Sequence, residues 1–403
     1  MALYNLIPFG NSSDLQEWAL EARLLRWLTF LWMSVGLVVL FSASYPNADA
    51  EYGDGLYYVK RQVVSIFLGL IVFNFLVRSP LRYILGVARW LLLLLLMLIG
   101  VTLIPGLGTT VNGATRWLSL GIFPFQPSEL IKPFLVLQSA RLFGQWERLS
   151  WKIRGFWLLV FCAVLVGILL QPNLSTAALC GMTLWLIALA AGLPLSQLGG
   201  TAIGGFLLAL LSISIKDYQR RRVMSFLNPW ADPMQDGYQL VQSLMAVGSG
   251  GTWGAGFGLS QQKLFYLPIQ NTDFIFAVFA EEFGFAGSLL LLLLLVTYAT
   301  LALIVAMKAR NIVHRLVAIG AMILLVGQSL LNIGVTTGVL PTTGLPLPLF
   351  SYGGNSMIAS LLAAGLLVRV ARESSEAEVV SIAHRRAEQG RKQRTRQQPQ
   401  FPR

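Results

Sequence analysis

Apolar residues along this chain gather into long blocks, separated by short polar or proline- and glycine-rich stretches. Blocks of about 17–25 apolar residues are long enough to cross a bilayer as helices. Ten are read: Leu24–Ala43, Val63–Val77, Ile84–Leu103, Ser128–Phe143, Gly155–Leu170, Thr176–Gly192, Leu198–Ile215, Phe274–Met307, Leu316–Val335 and Ser356–Val370. The eighth carries seven successive leucines, Leu289–Leu295, and is long enough for a tilted helix with a protruding end. The pattern predicts an all-α polytopic membrane protein. Residues 1–23 form an N-terminal segment, 24–370 the membrane domain and 371–403 a basic, disordered tail.

The polar positions orient this bundle. Arg23 and Arg26, Arg78 and Arg82, Arg141 to Arg154, Lys308 to Arg315 and the tail fall on alternate connections. Basic connections stay cytoplasmic, so both termini are expected in the cytoplasm. The opposite connections are longer and less basic, and the largest, 216–272, lies between spans seven and eight. A connection of that length in a compact domain is usually functional. This one is expected to lie on the membrane surface with short helices such as Gly237–Val247. Arg220, Arg221 and Arg222 break the charge rule at its start. The first span is not read as a signal peptide despite Ala48-Asp49-Ala50, because a long acidic segment precedes it.

Composition agrees with this reading. Of 403 residues, 55% are hydrophobic and 12% charged, about half the charged share of a soluble domain. The net charge of +12 reflects cytoplasmic loops and a tail that meets anionic lipid, not nucleic acid. Cys162 and Cys180 sit in apolar blocks and show no disulfide or metal spacing.

Three polar clusters fall on the outer side. In "LPIQNTDFIFAVFAEEFGFAG", residues 267–287, Asp273 stands where the chain enters hydrocarbon. Partial desolvation there strengthens a carboxylate as a base; a helix cap is the competing role. Glu281 and Glu282 lie deeper, at roughly 12–14 Å along a regular helix, where an unpaired carboxylate is costly. They are read as structural hydrogen-bonding groups within the membrane, protonated or facing a polar cavity or a cation. In "NGATRWLSLGIFPFQPSELIK", residues 112–132, Gln126 or Ser128 suits the start of a helix, and Glu129 and Lys132 share one face. Arg116 sits in an amphipathic loop beside Trp117, placed to hold a phosphate or a headgroup. In "GVLPTTGLPLPLFSYGGNS", residues 338–356, the density of proline and glycine forbids a regular helix. Irregular backbone at membrane depth is tolerated where it is buried in protein or lines a cavity. Both histidines, His314 and His384, fall on the cytoplasmic side, so histidine does not serve acid–base chemistry outside: a carboxylate takes its place, or the chain is not an enzyme there. A cavity of mixed charge with lipid access suits an amphiphilic substrate.

The segments "NGATRWLSLG", "FQPSELIK", "YQLVQS" with "SGG", "TDFIFAVFAEEFG" and "GLPLPLFSYGGNS", in this order, resemble the SEDS family (shape, elongation, division, sporulation) over about Leu24 to Val370. "GFGLSQQKLFYLP" resembles its division branch more than its elongation branch. The resemblance implies a multi-pass protein of the bacterial cytoplasmic (inner) membrane, an inverting glycosyltransferase that polymerises lipid II into β-1,4-linked glycan on the outer face during cell division. The family's essential aspartate falls on Asp273, and its fourth-helix glutamate and lysine on Glu129 and Lys132. For the mechanism so implied, Arg116, Lys132 and Lys263 are the candidate diphosphate ligands, with Glu129, Gln126, Ser351 and Tyr352 as further candidate substrate contacts. Implied partners are lipid II and undecaprenyl-pyrophosphate-linked glycan, a class B penicillin-binding protein, other division proteins and membrane lipid. A divalent cation, Mg or Mn, is implied without a clear ligand set, and no organic cofactor. The chain departs from the family pattern at Asn173, Asn271 and Thr343, where an acid, a histidine and a lysine are common. A lipid II flippase, a non-catalytic division scaffold and a polymerase of another lipid-linked sugar are the alternatives. A flippase needs charge along a path through the bilayer, and the central spans are almost bare.

Overall fold

A computed structural model describes residues 18–111, 114–119 and 124–374. Each of the ten apolar blocks coincides with a helix: α1 Leu20–Tyr52, α2 Tyr57–Arg78, α3 Leu81–Thr102, α4 Pro127–Gly144, α5 Trp151–Leu170, α6 Leu174–Ala190, α7 Leu195–Ile215, α10 Ile275–Lys308, α11 Ile312–Thr336 and α12 Gly354–Ser374. Among the described residues, eight of these are long and apolar enough to cross a membrane. The other two, α4 and α6, are shorter or more polar, and α4 is the more telling. It carries Glu129, Lys132 and Arg141, yet from Pro127 to Phe143 only Leu130, Phe134 and Arg141 escape burial. It packs against α3, α6 and α11. Polar side chains are tolerated on it because it faces protein, not lipid. At the other extreme, α7 buries only Leu198 and lies on the rim.

Contacts between helix ends sort the bundle into two poles. At one pole Lys308 pairs with Glu21 at 2.5 Å, Glu373 accepts from the Leu81 N–H at 2.8 Å, and Arg372 donates to the Val77 carbonyl at 3.0 Å. This is the pole of the basic connections, and His314 lies there, 3.5 Å from Glu373. The tail, with His384, is outside the described residues. At the other pole gather Arg116, Asp273 and the loop that ends at Gly354. The alternation of basic and less basic connections is therefore a property of the folded bundle.

The segment after α7 is not a long irregular loop. It forms α8, Asp217–Leu227, then a single turn at Pro229–Ala231 and α9, Tyr238–Ser249. The latter lies close to the expected short helix and packs on α10. One feature departs from the all-α expectation. A small antiparallel sheet links α3 to α4, with strands β1 Gly108–Val111, β2 Ala114–Ser119 and β3 Pro124–Phe125 in that order. Thr109 faces Trp117, and Leu118 faces Phe125. Strand pairing satisfies the backbone of a segment that has no helical period.

A break in α10 also went unforeseen. Gly284 has φ 65° and ψ −164°, so the helix stops and restarts there. The freed carbonyls of Glu281 and Glu282 accept from the Ala255 and Gly256 N–H groups at 2.9 and 3.0 Å. Phe285 and Ala286 donate back to Gly251 and Thr252 at 2.9 and 3.0 Å. The glycine-rich stretch 249–258 thus docks backbone to backbone on the kink. A Cβ at Gly250 would meet the Ala280 oxygen at 2.1 Å, and one at Gly254 the Glu282 oxygen at 2.2 Å.

Candidate active site

Asp273 lies two residues before the start of α10, half-buried. Its position is fixed through its backbone. The Asn271 carbonyl accepts from the Tyr352 N–H at 2.9 Å. The Thr272 carbonyl accepts from Ser351 Oγ at 2.5 Å. The carbonyl of Asp273 accepts from Asn332 Nδ2 on α11 at 2.7 Å. No hydrogen bond to the Asp273 carboxylate forms among the described residues, and Gly344 lies against it: a Cβ there would sit 3.5 Å from Oδ2. A carboxylate held from behind and unengaged in front is suited to accept a proton.

Three charged groups surround it. Arg222, from α8, is the strongest opposite charge, followed by Arg116 from β2. Burial nevertheless wins and pushes the Asp273 carboxyl up to about 6, with Glu129 adding to the push. Arg116 donates from Nε to the Gln171 carbonyl at 2.9 Å and from a terminal nitrogen to the Pro172 carbonyl. Burial lowers its own proton affinity. Arg222 donates to the Thr342 carbonyl at 3.1 Å and stacks over Tyr218, 4.5 Å from the ring centre. Both guanidiniums remain part-exposed and keep further donors.

Glu129 and Lys132 pair at 2.8 Å, with side chains 5% and 4% exposed. The ammonium also reaches Gln328 Oε1 at 3.0 Å. It is therefore fixed on two acceptors, Glu129 and Gln328. Gln126 sits at the start of α4, its amide 3.4 Å from Ser128 Oγ, part-exposed beside the same pole.

Several residues offered by the sequence take other places. Lys263 does not join the guanidiniums: its ammonium is buried on Glu282 Oε1 and Ser42 Oγ, each at 2.7 Å. A cation already neutralised and desolvated is not open to a diphosphate, so it is reassigned to the fold. Glu281 accepts from Ser260 Oγ at 2.5 Å and from the Gln261 and Gln262 N–H groups at 3.0 and 3.3 Å. Both deep carboxylates thus anchor residues 260–263, which follow the glycine-rich stretch, to α10, the hydrogen-bonded alternative of the sequence reading. Ser351 is buried and accepts from the Leu347 N–H at 2.8 Å while donating to Thr272. It holds the wall of the site. Tyr352 is part-exposed, with its ring edge-on to Tyr58 at 4.9 Å. Asn173, where the family pattern carries an acid, caps α6 by accepting from the Thr176 N–H at 3.3 Å.

Three contributing residues were missed. Arg222 had a signal, because it belongs to the basic triplet that violated the charge rule. Gln328 and Asn332 had none beyond being polar in an apolar block. Among the described residues, no group of three or more His, Cys, Asp or Glu side chains assembles. Asp273 stands among guanidiniums, and Glu129 is taken by Lys132, so these residues do not fit a divalent cation, and no step below is routed through one. A cavity of about 300 Å³ at the basic pole is lined by Glu21, Lys308 and Ser374. Its one acid is paired with Lys308, and the Asp273 cluster lies at the opposite pole.

The fold and this pole define a multi-pass helical membrane protein with a single poised carboxylate, two guanidiniums and a buried ion pair. A family model described as cell cycle protein, spanning the FtsW, RodA and SpoVE proteins, matches residues 22–376, and the chain belongs to that family. It is 59% identical over 95% of its length to a probable peptidoglycan glycosyltransferase FtsW of Synechocystis, covering 97% of that protein. It is 36% identical over 86% of its length to the stage V sporulation protein E of Bacillus subtilis, covering 96% of it. Among solved structures it matches a peptidoglycan synthase complex, studied for coordination of polymerization and crosslinking, with TM-score 0.70 and 31% identity, over 87% of this chain and 97% of that one. The rod shape determining protein RodA of Thermus thermophilus matches with TM-score 0.64 and 30% identity, over 87% and 96% of the two chains.

Proposed function

We infer that this protein is a peptidoglycan glycosyltransferase of the division type, which polymerises lipid II at the pole that carries Asp273. The observation that carries the reading is the Asp273 carboxylate: held through its backbone, raised in proton affinity, and flanked by Arg116 and Arg222. In the reaction proposed, Asp273 takes the proton of the acceptor sugar 4-hydroxyl. The oxygen forms a bond to the anomeric carbon of the lipid-linked donor as the bond to the diphosphate breaks. One displacement inverts an α link to β-1,4, and a single base suffices. The departing undecaprenyl diphosphate takes the electron pair, and Arg116 and Arg222 stabilise its charge. Lys132, buried on Glu129 and Gln328, is neutralised in the same way as Lys263 and serves to fix α4 at this pole, not to bind the diphosphate. The proton leaves Asp273 to solvent before the next cycle.

The basic pole is assigned to the cytoplasm by the distribution of arginine and lysine. In this reading Asp273 faces outward from the cytoplasmic membrane. The match to a synthase complex supports a crosslinking partner, in this reading a class B penicillin-binding protein.

The test is polymerisation of purified lipid II by the protein in detergent or liposomes, alone and with the partner. Glycan strands should form with the parent chain and disappear with Asp273→Asn at unchanged folding. Translocation of labelled lipid II without polymer would instead mark a transporter.

A further inference from the structure

We propose that Gln328 and Asn332 are positioning residues of the transfer reaction, one face of α11 that holds the Asp273 turn, the Leu345–Pro346 wall and the Lys132 ammonium as a single unit. The proposal rests on the catalytic reading of Asp273 above.

Four hydrogen bonds carry it. Asn332 Nδ2 donates to the Asp273 carbonyl at 2.7 Å and to the Leu345 carbonyl at 2.8 Å. Gln328 Nε2 donates to the Pro346 carbonyl at 2.7 Å, and its Oε1 accepts from Lys132 at 3.0 Å. Both side chains are buried. The partners fix each amide's orientation: two carbonyls demand the nitrogen of Asn332, and an ammonium demands the oxygen of Gln328. Four residues apart, the two side chains share one helix face.

This arrangement is more specific than burial requires. Asp273 precedes α10, so no helical N–H serves its carbonyl, and Asn332 Nδ2 takes that place at 2.7 Å. Asn332 in turn leaves its own Oδ1 buried with no partner among the described residues. An acceptor sacrificed so that both donors reach two loop carbonyls is poor economy for a structural residue. Immediately before Gln328, the helix makes a π turn at Ile323–Gly327. Such a turn inserts one extra residue and shifts the phase of the following helix by roughly 100°. The phase after the turn is the one that presents Gln328 and Asn332 to the site.

The consequence is geometric. Asp273 lies on the α10 side, Gly344 and Leu345 on the last loop, and Lys132 on α4. Ser351 and Tyr352 already tie the last loop to the Asp273 turn; Asn332 adds a direct bond to Asp273 itself, and Gln328 extends the unit to Lys132. A displacement of about 1 Å costs on the order of 100-fold in rate.

The experiment measures lipid II polymerisation by purified, reconstituted protein across pH. Variants are Asn332→Ala, Asn332→Leu, Gln328→Met and the double Asn332→Leu/Gln328→Met, with Ser329→Ala as control, since among the described residues its hydroxyl bonds only to the Leu325 carbonyl. Expected are about 100-fold lower kcat for either single variant, KM within about threefold, and an acid limb displaced toward lower pH as the freed turn meets water. The double variant should lose far less than the product of the singles. Ser329→Ala should match the parent. Where Asn332→Ala fails to fold, Asn332→Leu and Gln328→Met carry the test at matched volume. Folded variants with kcat within threefold of the parent and an unmoved acid limb would overturn the proposal, as would a change confined to KM. Asp273→Asn runs in parallel: if it polymerises normally, the catalytic reading itself has failed.

Discussion

Lys263 Nζ lies 2.7 Å from Glu282 Oε1, with side-chain exposures of 6% and 0%. The lysine comes from the stretch before Asp273 and the glutamate from α10, so the pair ties the surface segment to the core of the bundle. Ser42 on α1 joins it, donating to Glu282 Oε1 at 2.6 Å. Breaking a buried pair leaves an uncompensated charge and costs about 3–5 kcal/mol. Lys263→Ala should therefore lower thermal stability in detergent strongly. The double variant Lys263→Met/Glu282→Gln should recover much of it, because neither charge is left alone. A double variant no more stable than Lys263→Ala would show that the pair is not what holds the segment.

The pH dependence of activity follows from Asp273. With its carboxyl pushed up to about 6 by burial, polymerisation should fall on the acid side with a midpoint near that value, well above an ordinary aspartate. Arg222 and Arg116 both pull the value down. Removing either cation disfavours the ionised carboxylate, so Arg222→Gln should move the acid limb to higher pH. A limb that stays in place, or moves down, contradicts the assigned neighbourhood.

The same group affects stability with a defined sign. A carboxyl whose folded-state value is raised from 3.8 to about 6 holds its proton more tightly when folded. Its contribution to stability is full below the lower value and is lost as pH rises through the upper one. Asp273→Asn removes the penalty of ionisation. It should melt higher than the parent at neutral pH and equal to it near pH 4, measured by thermal unfolding in detergent. Lost activity with gained stability is the expected trade at a functional site.

Glycine at 250 and 254 is a steric requirement. Gly254 has φ +84°, and a Cβ at either position would strike a carbonyl oxygen of α10. Gly250→Ala and Gly254→Ala should each destabilise by about 2 kcal/mol or more, whereas Gly86→Ala, which meets nothing within 4 Å, should not. Thermal unfolding of the three variants checks this.

What the sequence determined by itself is the ten apolar blocks, their alternating basic connections and the rank of Asp273. These are legible because a bilayer imposes one simple rule on every spanning segment: hydrocarbon outside, polar groups at the ends or paired. Local chemistry was legible as well. Glu129 and Lys132 share a face by spacing alone, and a stretch rich in proline and glycine cannot be helix. Only tertiary structure decided which cations serve the carboxylate. Lys263 and Arg222 are both basic residues of one extramembrane segment, and although the arginine triplet marks Arg222 as unusual, nothing in the local sequence says which of the two meets the carboxylate. Folding buries the first on Glu282 and brings the second to Asp273. The backbone partners that position Asp273 come from residues 332, 351 and 352, far along the chain. Hydrogen bonds at such separation leave no period or spacing in a sequence, because they depend on where three helices and a loop come to rest against one another.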